Sequence, residues 1–197
     1  MTIEQAPRRT LGRFGAPLLL LAAMWAVHIA DAILPGSFLG VGIRSWDPSG
    51  LPGILISPFL HANWPHLIAN SLPLLVLGTL VAAEGARRFW TVTAVVTLVS
   101  GFGTWLVNAP GTITVGASGL VFGYFGYIVM RVFRPGPVSH RFGYAIVAIV
   151  IVLAYGGSML AGVIGVREGV SWQAHLFGAI GGAVAALGSR PRAASRR

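Results

Sequence analysis

The chain contains no cysteine and no lysine. The first absence excludes disulfides, thiolate nucleophiles and thiolate metal sites. Charge of either sign is scarce: Asp, Glu, Lys and Arg make up 10% of the 197 residues, against about 25% in soluble domains. Acid is scarcer still, with five carboxylates against fourteen basic residues, all of them arginine. What fills the space is apolar. Hydrophobic residues reach 55% and the mean hydropathy is +0.76, a membrane composition. The net charge of +9 is not a nucleic-acid footprint, because the arginines cluster at the termini and between apolar runs. No cleavable signal peptide is expected, since the first apolar run is too long and no small-residue cleavage pattern closely follows it.

A membrane-crossing helix needs about 20 mostly apolar residues. Six segments approach that: 14–34, 66–83, 89–107, 118–133, 142–164 and 172–187. The expected fold is therefore all-α and polytopic, with six transmembrane helices over residues 14–188. Residues 1–13 and 189–197 are expected as cytoplasmic tails, the second one basic. The connectors 87–88 and 134–141 are short and basic; the connector 35–65 is long and rich in Gly and Pro. Placing both termini inside leaves only Arg44 and Arg167 of the fourteen arginines outside, in keeping with the positive-inside bias.

That topology makes the second, fourth and sixth helices run from outside to inside. Their first turns then share the outer leaflet, and these turns hold HLIAN (66–70), GASG (116–119) and AHLFG (174–178). Polar groups inside membrane helices are costly and usually face a cavity or a functional path. Three such patches at one depth point to a site.

Ser118 needs a base to become a nucleophile, and His175 can serve as one at neutral pH. Asp31, Asp47, Glu84 and Glu168 are not placed to complete a triad, so a Ser–His dyad is expected. Close helix approach is provided by Gly119 and Gly123 on the fourth helix and by Gly178 and Gly182 on the sixth, the small-xxx-small spacing that lets backbones meet in lipid. His66 and Asn70, at i and i+4, share a face and can both donate hydrogen bonds to an oxyanion. The Ser118 backbone N–H, free at a helix start, is a third donor. Gly116 and Gly119 allow tight backbone and leave room for a substrate carbonyl. Hydrolysis needs water, so the site is expected to open to a wet hollow in the outer leaflet.

HxxxxHxxxN (His61, His66, Asn70), GxSG (116–119) and AHxxGxxxG (174–182), in this order, resemble the motifs of rhomboid intramembrane serine proteases. The resemblance covers residues 14–187. It implies Ser118 as nucleophile, His175 as general base, and His66 and Asn70 as oxyanion helpers. Single-span membrane proteins in a lipid bilayer are the implied substrates, with no metal and no cofactor. The chain departs from the family at Phe122, often tyrosine there, which can stack on His175 but cannot donate a hydroxyl. It departs again in the first loop, where GIRSWDPSG replaces the usual Trp-Arg pair.

Blander readings accompany these. Ser118 could bond its own helix carbonyl, and Asn70 could be an interhelical hydrogen bonder. His28 reads as a packing residue, His61 as a loop anchor and Asp31 as an interfacial charge or a proton-path residue. A zinc pair of His61 and His66 lacks HExxH and thiolates. A non-catalytic scaffold that binds client helices and a small transporter are the rivals to an enzyme. A bacterial plasma membrane is the expected location, and oligomeric state is open.

Overall fold

A computed structural model describes residues 8–134, 141–150, 152–153 and 170–188. They form a helical membrane protein. In chain order its helices are α1 (Arg8–Ile33), the single turn α2 (Gly53–Ile56), α3 (Trp64–Ala83), α4 (Ala86–Val107), α5 (Ser118–Phe133), α6 (Arg141–Val150) and α7 (Trp172–Leu187). Among the described residues, three helices are long and apolar enough to cross a membrane: α1 from Phe14, α3 and α4. Helices α5 and α7 have 16 residues each, roughly 24 Å at 1.5 Å per residue, against a hydrocarbon core of about 30 Å. About half of the expected fifth span (142–164), about half of the N-terminal tail and all of the C-terminal tail fall outside the described residues; residues 8–13, expected as tail, begin α1.

Helix starts follow local chemistry. The Ser171 hydroxyl accepts from Ala174 N at 3.2 Å and starts α7 at the expected residue. Helix α3 begins at Trp64 rather than at His66, because the Asn63 side chain caps it, accepting from His66 N at 2.9 Å, and Pro65 suits the first turn. Arg87 and Arg88, expected as a connector, lie instead in the first turn of α4. The chain reverses just before them at Gly85, whose φ of +120° is open to glycine and costly for other residues.

The loop between α1 and α3 is built from short 3-10 turns, α2 and a two-residue strand, β1 (Ile43–Arg44). β1 pairs antiparallel with β2 (Ile113–Thr114), Ile43 facing Thr114 and Arg44 facing Ile113. The loop is pinned to the end of α4. The Trp46 indole donates to Asn108 O at 3.1 Å, the Ser45 hydroxyl to Thr104 O at 3.3 Å, and the Trp105 indole to Asp47 O at 3.0 Å. Trp46 therefore anchors the loop in place of a Trp-Arg pair, and it does so with a φ of +64°, an uncommon backbone for a bulky side chain. β2 leads directly into Gly116 and α5, and the Gly116 N–H donates to Ser57 O at 2.9 Å.

The core lies between α3, α4, α5 and α7. Leu67, Leu74, Phe89, Val92, Tyr124 and Tyr127 are fully buried, while Leu18, Leu19, Ile68, Leu72 and Leu98 face outward as lipid-contacting residues would. At the end of α3 away from Asn70, the Glu84 carboxylate accepts from Tyr127 OH (3.0 Å), Arg131 Nε (2.9 Å) and Tyr144 OH (2.6 Å), tying α3 to α5 and α6.

Candidate active site

The first turns of α3, α5 and α7 meet at one end of the bundle. Glycine makes this possible. A Cβ on Gly178 would strike the Gly119 carbonyl oxygen and lie 3.2 Å from Gly119 Cα. One on Gly182 would strike the Gly123 oxygen and lie 2.7 Å from Tyr127 N, and one on Gly126 would collide with Ala179. The two helices thus touch backbone to backbone at three points over about two turns. The paired glycines at 119, 123, 178 and 182 were legible as a packing device; Gly126, just off the four-residue spacing, completes the seam.

His175, on this seam, is 6% exposed and stacks face to face on Phe122, with ring centroids 4.0 Å apart and planes 6° apart. Phe122 lies one turn after Ser118 on the same face of α5. Ser118 opens α5 and is half-buried; no side chain caps that helix, so N–H groups of its first turn remain available.

His66 and Asn70 reach the same region from α3. Gly116 has a φ of +116°, and a Cβ there would lie 2.6 Å from His66 Cε1, 2.7 Å from His66 Nε2 and 3.8 Å from Asn70 Nδ2. The His66 ring therefore occupies the space a side chain at 116 would need. Asn70 is 6% exposed, and its buried Nδ2 has no hydrogen-bond partner among the described residues. A buried amide donor left unpaired costs about 1–3 kcal/mol, and such a donor is open to an incoming acceptor or a water.

His61 is buried and edge-on to two other imidazoles, His66 at 5.1 Å and His28 at 6.4 Å between centroids. Burial first, then the neighbouring His66 and His28, push its pKa down to about 4, partly offset by the Phe59 carbonyl. His28 is buried edge-on against Trp64, 4.5 Å away, as a packing residue. Asp31 is engaged at the loop entrance, where it accepts from Phe38 N at 2.6 Å. Asp47 accepts from Ser49 N at 2.9 Å, and hydrogen bonding from Ser49 holds its carboxyl below the usual range. With Glu84 bonded at the far end, these three carboxylates are all committed elsewhere.

Ser100, on α4, is a further polar residue of this region. Its hydroxyl donates to the Ala174 carbonyl at 2.8 Å, and a Cβ on Gly119 would strike it. Ser57, Ser100, Gly116, Gly119 and Ala174 help line a cavity of about 20 Å³, room for one water molecule. The signal for Ser100 was present: a serine followed by Gly101 and Gly103 inside an apolar helix.

Residues 49–192 match the family model described as the rhomboid domain. The uncharacterized protein Rv1337 of Mycobacterium tuberculosis is 42% identical over 177 residues, covering 86% of this chain and 72% of that protein. ML1171 of Mycobacterium leprae, also uncharacterized, is 42% identical over 176 residues, 86% of this chain and 68% of its own. The "putative rhomboid protease YdcA" of Bacillus subtilis is 32% identical over 131 residues, 65% of this chain and 62% of its own.

Proposed function

Since this chain belongs to the rhomboid family, we propose that it is a serine endopeptidase that hydrolyses peptide bonds of membrane-embedded substrates. Ser118 is the nucleophile and His175 the base that takes its proton. The observation that carries this reading is the α5–α7 seam: glycines bring the first turns of both helices into backbone contact, and the ring stacked on Phe122 stands beside the turn that Ser118 opens. The engagement of Asp31, Asp47 and Glu84 elsewhere favours a dyad over a triad.

In the reaction, Ser118 Oγ attacks the scissile carbonyl while the imidazole accepts its proton. Charge then develops on the carbonyl oxygen. Asn70 Nδ2, the His66 ring and the N–H at the start of α5 are the donors for that charge, and the unpaired state of Asn70 supports its part. His175 returns the proton to the leaving amine; a water then attacks the acyl carbonyl and gives its proton to His175, which passes it to Ser118 Oγ as that oxygen leaves.

This reading takes residues 14–188 as a six-span membrane domain, with both tails in the cytoplasm of a bacterial cell, and the apolar helices α1, α3 and α4 support it. The site then lies in the outer leaflet, and single-span membrane proteins are cut near their outer ends. A scaffold that only binds client helices is disfavoured by the unpaired donor of Asn70, which helix binding does not call for.

The test uses purified protein in lipid vesicles with a fluorescent single-span substrate. Ser118→Ala and His175→Ala are expected to abolish cleavage. His66→Ala and Asn70→Ala are expected to lower kcat on the scale of about 3–4 kcal/mol per donor, with little change in KM. Cleavage by Ser118→Ala at the wild-type rate would defeat the assignment.

A further inference from the structure

The two halves of the proposed reacting pair sit on separate elements, and a single amide joins the segments that lead into them. Asn108 ends α4, its N–H donating to Thr104 O at 3.0 Å. Its side-chain Nδ2 donates to Thr114 Oγ1 at 3.1 Å, on β2, four residues before Ser118. Its Oδ1 accepts from Gln173 Nε2 at 3.2 Å, two residues before His175, and from Ala109 N at 2.9 Å. Its backbone carbonyl accepts from the Trp46 indole at 3.1 Å.

The network continues into the turn that carries the base. Gln173 is 8% exposed, and its Oε1 accepts from the Ser171 hydroxyl at 3.2 Å. That hydroxyl in turn accepts from Ala174 N at 3.2 Å and caps α7. An amide suits position 108 because it presents an acceptor and a donor on one rigid group, so it can satisfy Gln173 and Thr114 together.

We propose that Asn108 is a positioning residue, holding the strand ahead of Ser118 and the capped turn ahead of His175 in one register. The proposal rests on the reading of Ser118 and His175 as nucleophile and base. Asn108 touches neither substrate nor reacting atoms. It acts by fixing where the two helix starts stand, and displacement of a reacting group by about 1 Å can cost up to about 100-fold in rate.

The experiment measures kcat, KM and melting temperature for full-length protein in vesicles. Thr114→Val and Gln173→Met each keep side-chain volume and remove one hydrogen bond at Asn108. Each is expected to lower kcat roughly 10-fold with KM unchanged and with the protein folded. Because either break uncouples strand from helix, the double variant is expected to lose about as much as the worse single variant, rather than about 100-fold. Asn108→Leu is expected to match the double variant. Wild-type kcat in both single variants, a multiplicative loss in the double, or a loss matched by a fall in folded protein would overturn the role of Asn108. Ser118→Ala, run alongside, separates the two claims: its activity would remove the reading of the pair itself, whereas an inactive Ser118→Ala beside fully active single variants sinks only this inference.

Discussion

At the scale of single residues, the site is organised around side chains that are missing. Gly116 is required twice, by a φ of +116° and by the His66 ring standing where its Cβ would be. The motif residues His66, Asn70, Gly116, Ser118 and His175 were all legible in the sequence because they are polar or small in apolar helices. Asn108 and Gln173 were not, because the hydrogen bond that joins them spans 65 residues and leaves no local pattern. The buried imidazole of His61 gives this scale a pH signature. Its pKa is held near 4 in the folded protein against an ordinary 6.5. The neutral ring therefore contributes its full stabilising effect above about pH 6.5, and that contribution drains away as pH falls toward 4, on the order of 3 kcal/mol at the limit. Melting temperature in vesicles is expected to fall over this window, and less steeply in His61→Phe; equal slopes would show that His61 does not carry the effect.

Between elements, the decisive contact is α5 against α7. Its small-residue spacing announced close packing in the sequence, but the interlock of Gly178 with the Gly119 carbonyl and of Gly182 with the Gly123 carbonyl depends on the rotation of each helix, which spacing alone does not set. Both helices are short for a membrane, and β2 with Gly116 brings non-helical backbone to the head of α5 at the depth where the polar turns meet. Gly178→Leu is expected to force the helices apart and to lower unfolding stability by about 1–3 kcal/mol, the usual cost of overpacking, with cleavage falling to background. The check is denaturant unfolding in bicelles beside the cleavage assay, and an active Gly178→Leu protein would show that backbone contact is not needed. The loop between α1 and α3 was the element least legible in advance. Glycine and proline marked it as irregular, yet Ser45, Trp46 and Trp105 dock it on α4 through contacts that no local periodicity encodes.

Across the whole molecule, polar chemistry is split between two ends. Ser118, His175, His66 and Asn70 gather at one, and Glu84 binds Tyr127, Arg131 and Tyr144 at the other, about 21 Å from Asn70 along α3. The proposed topology, argued from the arginine distribution, puts the Glu84 end in the cytoplasm. Because the chain has no native cysteine, single-cysteine labelling reads this without background. An impermeant maleimide added to intact cells is expected to label Ser49→Cys and to leave Arg87→Cys unlabelled until the membrane is opened; the reverse pattern would invert the topology. Mass spectrometry of the protein after treatment with a fluorophosphonate tests the pairing of Ser118 with His175. A single covalent adduct is expected on the peptide containing Ser118, formed at neutral pH and lost in His175→Ala while that variant stays folded. An adduct elsewhere, or one on Ser118 that forms equally fast without the imidazole, would contradict it.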